Sequence, residues 1–435
     1  MLSACVLPIP SEITEQALIL CHPRDVASFS QTCRKARRLV YENPDQYLWR
    51  QLFLLFPFDD PRQTQSTSWG DRQFNWRKEL HQRMEAQLIA SCKCPKLVDL
   101  LRAIETFVSV VHSATPVTRL HERIPSPNLL WVVDVLQSTN MLRSSLLASE
   151  EGNQSLARLR SYLALTLDEY DEDDDEGKEN LKVIRTRSRC QVYDLRNYHR
   201  GNDWGPFTTA GDVNWTHIES IINVISMNLY DRPSDWPETR PRYGLEATRF
   251  YSAPGATARG TGDWAGIEGH WRRYFCFMDF RDLLAFNNDR NPGQRDGTYF
   301  NFEEVTRLVE LKLTLIGPRE IPNYYMLDRF PDSPYKNYPT QYFTGSSWGI
   351  PGNEVTVIGS VTMSERGVVR WRLASVVDSI CNWSSEGTQI GGIASAFGVI
   401  GTWTGVHHDQ RDPVGPFWLY KVEDDSFSYM RPRHI

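Results

Sequence analysis

The chain has 435 residues, more than a single core ordinarily holds, so two or three domains are expected. Hydrophobic residues at 40% and charged residues at 23% are the proportions of a folded globular protein and exclude a wholly disordered one. A net charge of −6 argues against broad electrostatic adhesion to nucleic acid.

The first residues, MLSACVLPIPSEITEQ, lack the positive n-region of a secretory signal. No run of 18 apolar residues exists, so no transmembrane helix and no membrane partner is expected. The eight cysteines, at 5, 21, 33, 92, 94, 190, 276 and 381, form no CxxC pair and no regular framework. That usage fits reduced thiols in the cytoplasm or nucleus and predicts no disulfide scaffold and no zinc site.

Residues 7–56 read as three or four short helices. Ser11 stands where it can cap a helix through EITEQALILC, in which Ile13, Ala17 and Leu20 recur at helical spacing. Pro23 breaks that run, Asp25 sits at the start of the next, and Val26 and Phe29 share a face. Cys33, Ala36 and Val40 then keep three- and four-residue spacing beside the basic cluster Arg34, Lys35, Arg37 and Arg38. Asn43-Pro44 marks another break, and DQYLWRQLFLLF runs as a helix up to Pro57.

A polar loop follows, and then four segments of helical length and period: 75–92, 96–114, 128–142 and 153–167. Next comes DEYDEDDDEGKE, residues 168–179, with nine acids in twelve positions. Like charges at that density repel one another, so 168–180 is expected to be a solvated, flexible tract.

Beyond it the period changes to two. Val309, Leu311, Leu313 and Leu315 alternate with Glu310, Lys312 and Thr314. VTVIGSVTM and VVRWRLAS, joined by SERG, form a hairpin by pattern, with Trp371 on the apolar side and Arg370 and Arg372 on the other. HWRRYFCFMDF, GVIGTWTGV and PFWLYKV add strands, and HIESIINVISMNL is the one clear helix among them. Two GxWxG stretches, 262–266 and 401–405, suit sharp backbone bends plugged by an indole. The fold class expected is therefore α+β: an N-terminal helical part followed by a mainly antiparallel barrel.

Leu7-Pro8, Pro10, Glu12-Ile13, Leu18, Leu20, Pro23-x-Asp25-Val26, Phe29, Cys33-Arg34, Leu39 and Leu48-Trp49-Arg50 together resemble the F-box in order and spacing. Pro and Glu in LPIPSEI stand further apart than in the commonest form. The resemblance implies docking on the Skp-type adaptor of an SCF ubiquitin ligase and, through it, a cullin scaffold. A segment this short cannot hide all its apolar residues in a core of its own. Leu7, Pro8, Ile13, Leu20, Pro23, Val26 and Phe29 are the expected interface. The basic cluster then faces water; no aromatic residues interleave it as a nucleic-acid surface requires.

Residues 386–422 are similar to the barrel of F-box proteins that use one as a substrate receptor. Four parts follow: an F-box (1–56), a helical linker region (57–167), the acidic tract (168–180) and a barrel-like domain (181–435) that binds a protein target. A barrel holding a small apolar ligand is the alternative. Arg370 and Arg372, two residues apart, are the candidate contacts to a target carboxylate or phosphate.

No catalytic residue and no cofactor is expected. GSSWG matches GxSxG at Ser347, but Pro351 follows where an elbow needs a helix, so a turn is expected there. His407 and His408 are adjacent, and adjacent residues on a strand point apart, so they do not make a metal site. The tract carboxylates lack the rigid pairing that acid–base work needs.

Overall fold

The computed structural model describes the chain except residues 1–8, 57, 64–73, 118–123, 144–149, 169–174, 233–239, 257–261, 289–301, 322–331, 350–353, 410 and 425–435. It divides into two compact units, Met1–Pro116 with Ile124–Leu146, and Val117–Arg123 with Leu147–Ile435.

The first unit is helical: α1 Ser11–Ile19, α2 Pro23–Ser30, α3 Arg34–Tyr41, α4 Tyr47–Leu55, α5 Trp76–Ala90, α6 Leu97–His112 and α7 Pro127–Gln137. Punctuation in the sequence sets the first starts, though not through every residue expected. Pro10, not Ser11, stands at the N-cap of α1. His22 caps α2 by accepting from the Arg24 amide, Pro23 fills the first turn, and the Cys33 sulfur accepts from the Ala36 amide at the head of α3.

The core of α1–α4 is Val26, Ala36, Val40, Leu48, Trp49, Leu52 and Phe53, all buried, and the Trp49 indole donates to the Val40 carbonyl at 2.8 Å. That core runs on into α5–α7. Trp76 packs edge-on against Phe53 with ring centroids 5.5 Å apart. Arg83 lies buried beneath Phe53 and Phe58, 4.7 and 4.4 Å from the ring centroids, and pairs with Glu79 at 2.9 Å. A buried guanidinium is tolerable only when paired and hydrogen-bonded, and Asn128 on α7 accepts a further bond at 2.8 Å. The helical segments expected as one region, 57–167, are therefore split: α5–α7 belong with the N-terminal helices.

The second unit opens with α8 Glu150–Leu163, α9 Asp175–Tyr193 and α10 Trp215–Tyr230. The tract expected to be flexible is helical from Asp175 onward; 169–174 lie outside the described residues. Helix α10 has Ile218, Ile221, Ile222, Val224 and Ile225 almost fully buried because it packs on α8 and α9 and against the barrel. A buried polar cluster ties it down: the Glu304 carboxylate accepts from Arg189 (3.2 Å) on α9, Asn228 (2.7 Å) on α10, and Tyr193.

The barrel is closed and wholly antiparallel, each strand beside the next in sequence and the last beside the first. Its strands are β1 Gly269–Met278, β2 Glu304–Ile316, β3 Gln341–Trp348, β4 Glu354–Met363, β5 Val369–Val377, β6 Ile380–Gln389, β7 Val399–Gly405 and β8 Val414–Lys421, with a short α11 Phe280–Asn288 after β1. The seam pairs Trp271 with Lys421 and Phe275 with Phe417. The β4–β5 hairpin is as its alternation predicts, and Gly367 with φ 75° closes the SERG turn. Between β5 and β6, Asp378 and Ser379 both have positive φ, the mirror-image turn that matches strand twist.

Alternate residues of each strand point inward. Trp271, Leu311, Leu313, Phe343, Val357, Val361, Trp371, Leu373, Val399, Phe417 and Leu419 fill one end of the lumen. The rings fit because glycine stands opposite them. A Cβ on Gly359 would lie 2.3 Å from the Phe343 ring, and one on Gly401 would lie 2.6 Å from the Phe417 ring. Ile267, Ala265, Ile393 and Ala394 close that end, with Trp264 of the first GxWxG packed against the cluster. The second GxWxG lies within β7 at the other end, so the two are not equivalent plugs.

His217 on α10 is buried, with Nε2 3.3 Å from the Tyr198 hydroxyl. Burial pushes its pKa down to about 4 from 6.5, so between those values the unfolded chain takes up a proton that the folded chain refuses. Stability therefore falls as pH drops through that window. Relative to wild type, His217→Gln should gain about 2 kcal/mol on going from pH 7.5 to pH 5, read by urea denaturation at both values. An equal difference at both pH values would contradict this.

Candidate functional site

In the helical unit, the expected interface residues separate into two groups. Val26 is fully buried and Pro23 is buried, so both hold the unit together and neither is open to a partner. Leu20, the C-cap residue of α1, is 84% exposed and Ile13 within the helix 58% exposed, and seven residues apart they lie on the same side of it. Phe29 is half-buried, and Leu7 and Pro8 lie outside the described residues. Arg34, Lys35, Arg37 and Arg38 are exposed along α3 while Ala36 and Val40 are buried beneath them.

On the barrel, Arg370 and Arg372 leave the Trp371 face as expected, and Trp371 is fully buried in the lumen. Neither guanidinium is an open anion site. Arg372 is buried and paired with Glu386 of β6, directly across the ladder. Arg370 pairs with Asp203 at 2.7 Å and lies 4.0 Å from the Phe207 ring centroid. The expected target contacts are thus held by the chain's own carboxylates, one of them 167 residues away in sequence. Burial pushes the Glu386 carboxyl up to about 7 against the pull of Arg372 and Arg370.

Ser347 lies within β3, between Leu311 and Val355 in register, so GSSWG is strand and neither turn nor strand-to-helix elbow. His408 stacks on Trp204 with ring centroids 3.8 Å apart. Among the described residues no group of three side chains is placed to hold a metal ion, and no helix is long and apolar enough to cross a membrane.

A residue the sequence reading passed over is Arg273 on β1. It stands one residue from Arg272, whose guanidinium pairs outside the lumen with Glu310 at 3.1 Å. Arg273 points inward instead, level with Val309 and Leu419. It crosses the lumen to β6, donating to the Ser385 hydroxyl at 2.8 Å, and lies 4.5 Å from the Phe417 ring centroid. Burial pushes its pKa down to about 10, with no carboxylate opposing the shift, so it is charged at neutral pH. The alternation Trp271, Arg273, Phe275, Phe277 carried this signal in the sequence.

Arg273 marks a change in the lumen. On its plugged side the inward residues are buried. On its other side Phe275, Phe277, Ser347, Val355 and Ser375 keep part of their surface accessible, Arg307 opposite Phe275 is exposed, and Trp383 is 42% exposed against Trp403. Comparison with protein-family models, curated proteins and solved structures finds no match to the chain.

Replacing Arg372 alone with Met should cost about 3–5 kcal/mol at pH 8, because Glu386 is left as an unpaired buried carboxylate. Protonation relieves that charge, so the loss should shrink at pH 6. Arg372→Met with Glu386→Leu should recover most of it. Chemical denaturation at both pH values reads the result; a loss that does not change with pH, or no recovery in the double variant, would contradict the pairing.

Proposed function

We propose that the chain is a non-catalytic substrate-recognition adaptor of an SCF-type ubiquitin ligase. Its N-terminal helices engage a Skp-type adaptor, and through it a cullin scaffold, while the barrel unit binds a protein target. The observation that carries the reading is the exposure of Ile13 on α1 and Leu20 at its C-cap on one side, in a unit whose large apolar groups on α2–α4, Leu55 apart, are mostly packed inside. An apolar pair held out on a rigid helix, among F-box-like pieces in F-box-like order, is what a helical docking partner requires. Pro23 and Val26, first expected at the interface, are buried within the unit.

In this reading ubiquitin transfer is promoted by proximity. Holding a target near the charged enzyme raises the effective concentration of its lysines without any chemistry by this chain. Two compact units suit that task, one for the ligase and one for the target. Cytoplasm and nucleus are the compartments in which such an adaptor would act.

Leu20→Glu with Ile13→Glu should weaken binding of a purified Skp adaptor at least about 30-fold, since each places a charge in an apolar contact. Both positions are exposed, so the melting temperature of the free chain should not fall. Unchanged affinity in the double variant, measured by titration calorimetry, would reject this surface as the docking site.

A further inference from the structure

Arg273 is a cation that reaches across the lumen; the other cations at inward-facing positions stand at the rims, Lys421 donating to the Gly266 carbonyl beside the plug and Arg307, opposite Phe275, exposed at the mouth. Its neighbours Arg272 and Arg372 show how the fold treats a buried guanidinium it keeps for itself: each has a carboxylate in hydrogen-bonding reach on the next strand. Arg273 has a serine hydroxyl and a ring face, and its Nε is buried without a hydrogen-bond partner. A partly buried charge without a counter-ion destabilises a fold, and such a group persists where it has a use. Asp412, beside Gly405 at the open end, accepts from the Asp409 amide.

We propose that the Arg273 end of the barrel binds a small amphiphilic acid, its carboxylate on the guanidinium and its apolar body against Phe275, Trp383 and Trp403. One guanidinium calls for one anionic group, which a carboxylate matches in shape. The walls call for an apolar body: Trp383 and Trp403 meet edge-to-face at 5.3 Å, and Phe275 lies beneath them, 6.3 Å from Trp403. The body is short, because Trp271, Trp371, Phe343 and Phe417 already fill the lumen beyond. The carboxylate enters first and the body stays near the mouth. This inference goes beyond the adaptor reading and does not rest on it: docking is read at Leu20 and Ile13, ligand binding at Arg273.

The test is titration calorimetry of the full chain with decanoate and with its neutral twin decanol. Decanoate should bind saturably and at least about tenfold more tightly than decanol. Arg273→Gln should abolish that preference, Arg273→Lys should keep part of it, and the melting temperature of unliganded Arg273→Gln should equal or exceed wild type. Should Arg273→Gln fail to fold, Trp383→Ala at an exposed position decides: it should weaken decanoate at least about fivefold. The proposal is overturned if decanoate does not bind, if decanol binds as well, if Arg273→Gln binds unchanged, or if Trp383→Ala leaves the affinity intact. It is equally overturned if the site captures a protein segment and shows no affinity for the free acid.

Discussion

Closure of the barrel between β1 and β8 is the constraint on which the second unit depends. Strand β1 carries Trp271, Arg273 and Phe275 inward and Arg272, Tyr274 and Cys276 outward. Only pairing with β8 brings Phe417 and Leu419 alongside them and completes the apolar packing of the lumen. The outer face depends on the same seam: Tyr274 stacks with Tyr420 across it, and α9 and α10 pack over that side. An open sheet would leave two edges exposed and the indoles of Trp271 and Trp371, now 5.3 Å apart, without their enclosing wall.

The same economy governs the buried charges. Arg83 in the helical unit and Arg272 and Arg372 on the barrel's outer face are each offset by a carboxylate of the chain. These pairs fix register: Arg272 meets Glu310 and Arg372 meets Glu386 directly across a ladder, so a slip of one residue would strand both charges. Arg273 departs from that rule, and it does so where the lumen stops being packed. In the helical unit the departure of the same kind is Leu20, an apolar side chain left in water at the C-cap of α1 next to the buried Leu18 and Ile19.

How much of this the sequence revealed follows from where the determining contacts lie. Local alternation was enough for β1, β2, β4, β5, β7 and β8, because their inward residues are large and their turns are marked by Gly, Ser or Pro. β3 and β6 were missed: QYFTGSSW and ICNWSSEGTQ are rich in small and polar residues and are strands because their neighbours pair with them. Helix α9 was masked by its acidic start. The partners of Arg370 and Arg372 were invisible, since Asp203 and Glu386 are brought near by the fold and not by spacing. Pro23 and Val26, expected at an interface and found buried in this chain, show a related limit. Helical periodicity shows that residues share an apolar face but not whether that face meets the chain's own core or a partner.

The most direct test of the account is native-state hydrogen exchange at the β1–β8 seam, resolved to the segments 271–275 and 417–421. If the barrel is closed and its lumen packed as described, these amides should exchange as slowly as those of β4 and β5, through opening of the whole unit. Exchange of the seam orders of magnitude faster than β4 and β5 would mean that β1 and β8 are edges of an open sheet, and the placement of Arg273 inside an enclosed lumen would fall with it.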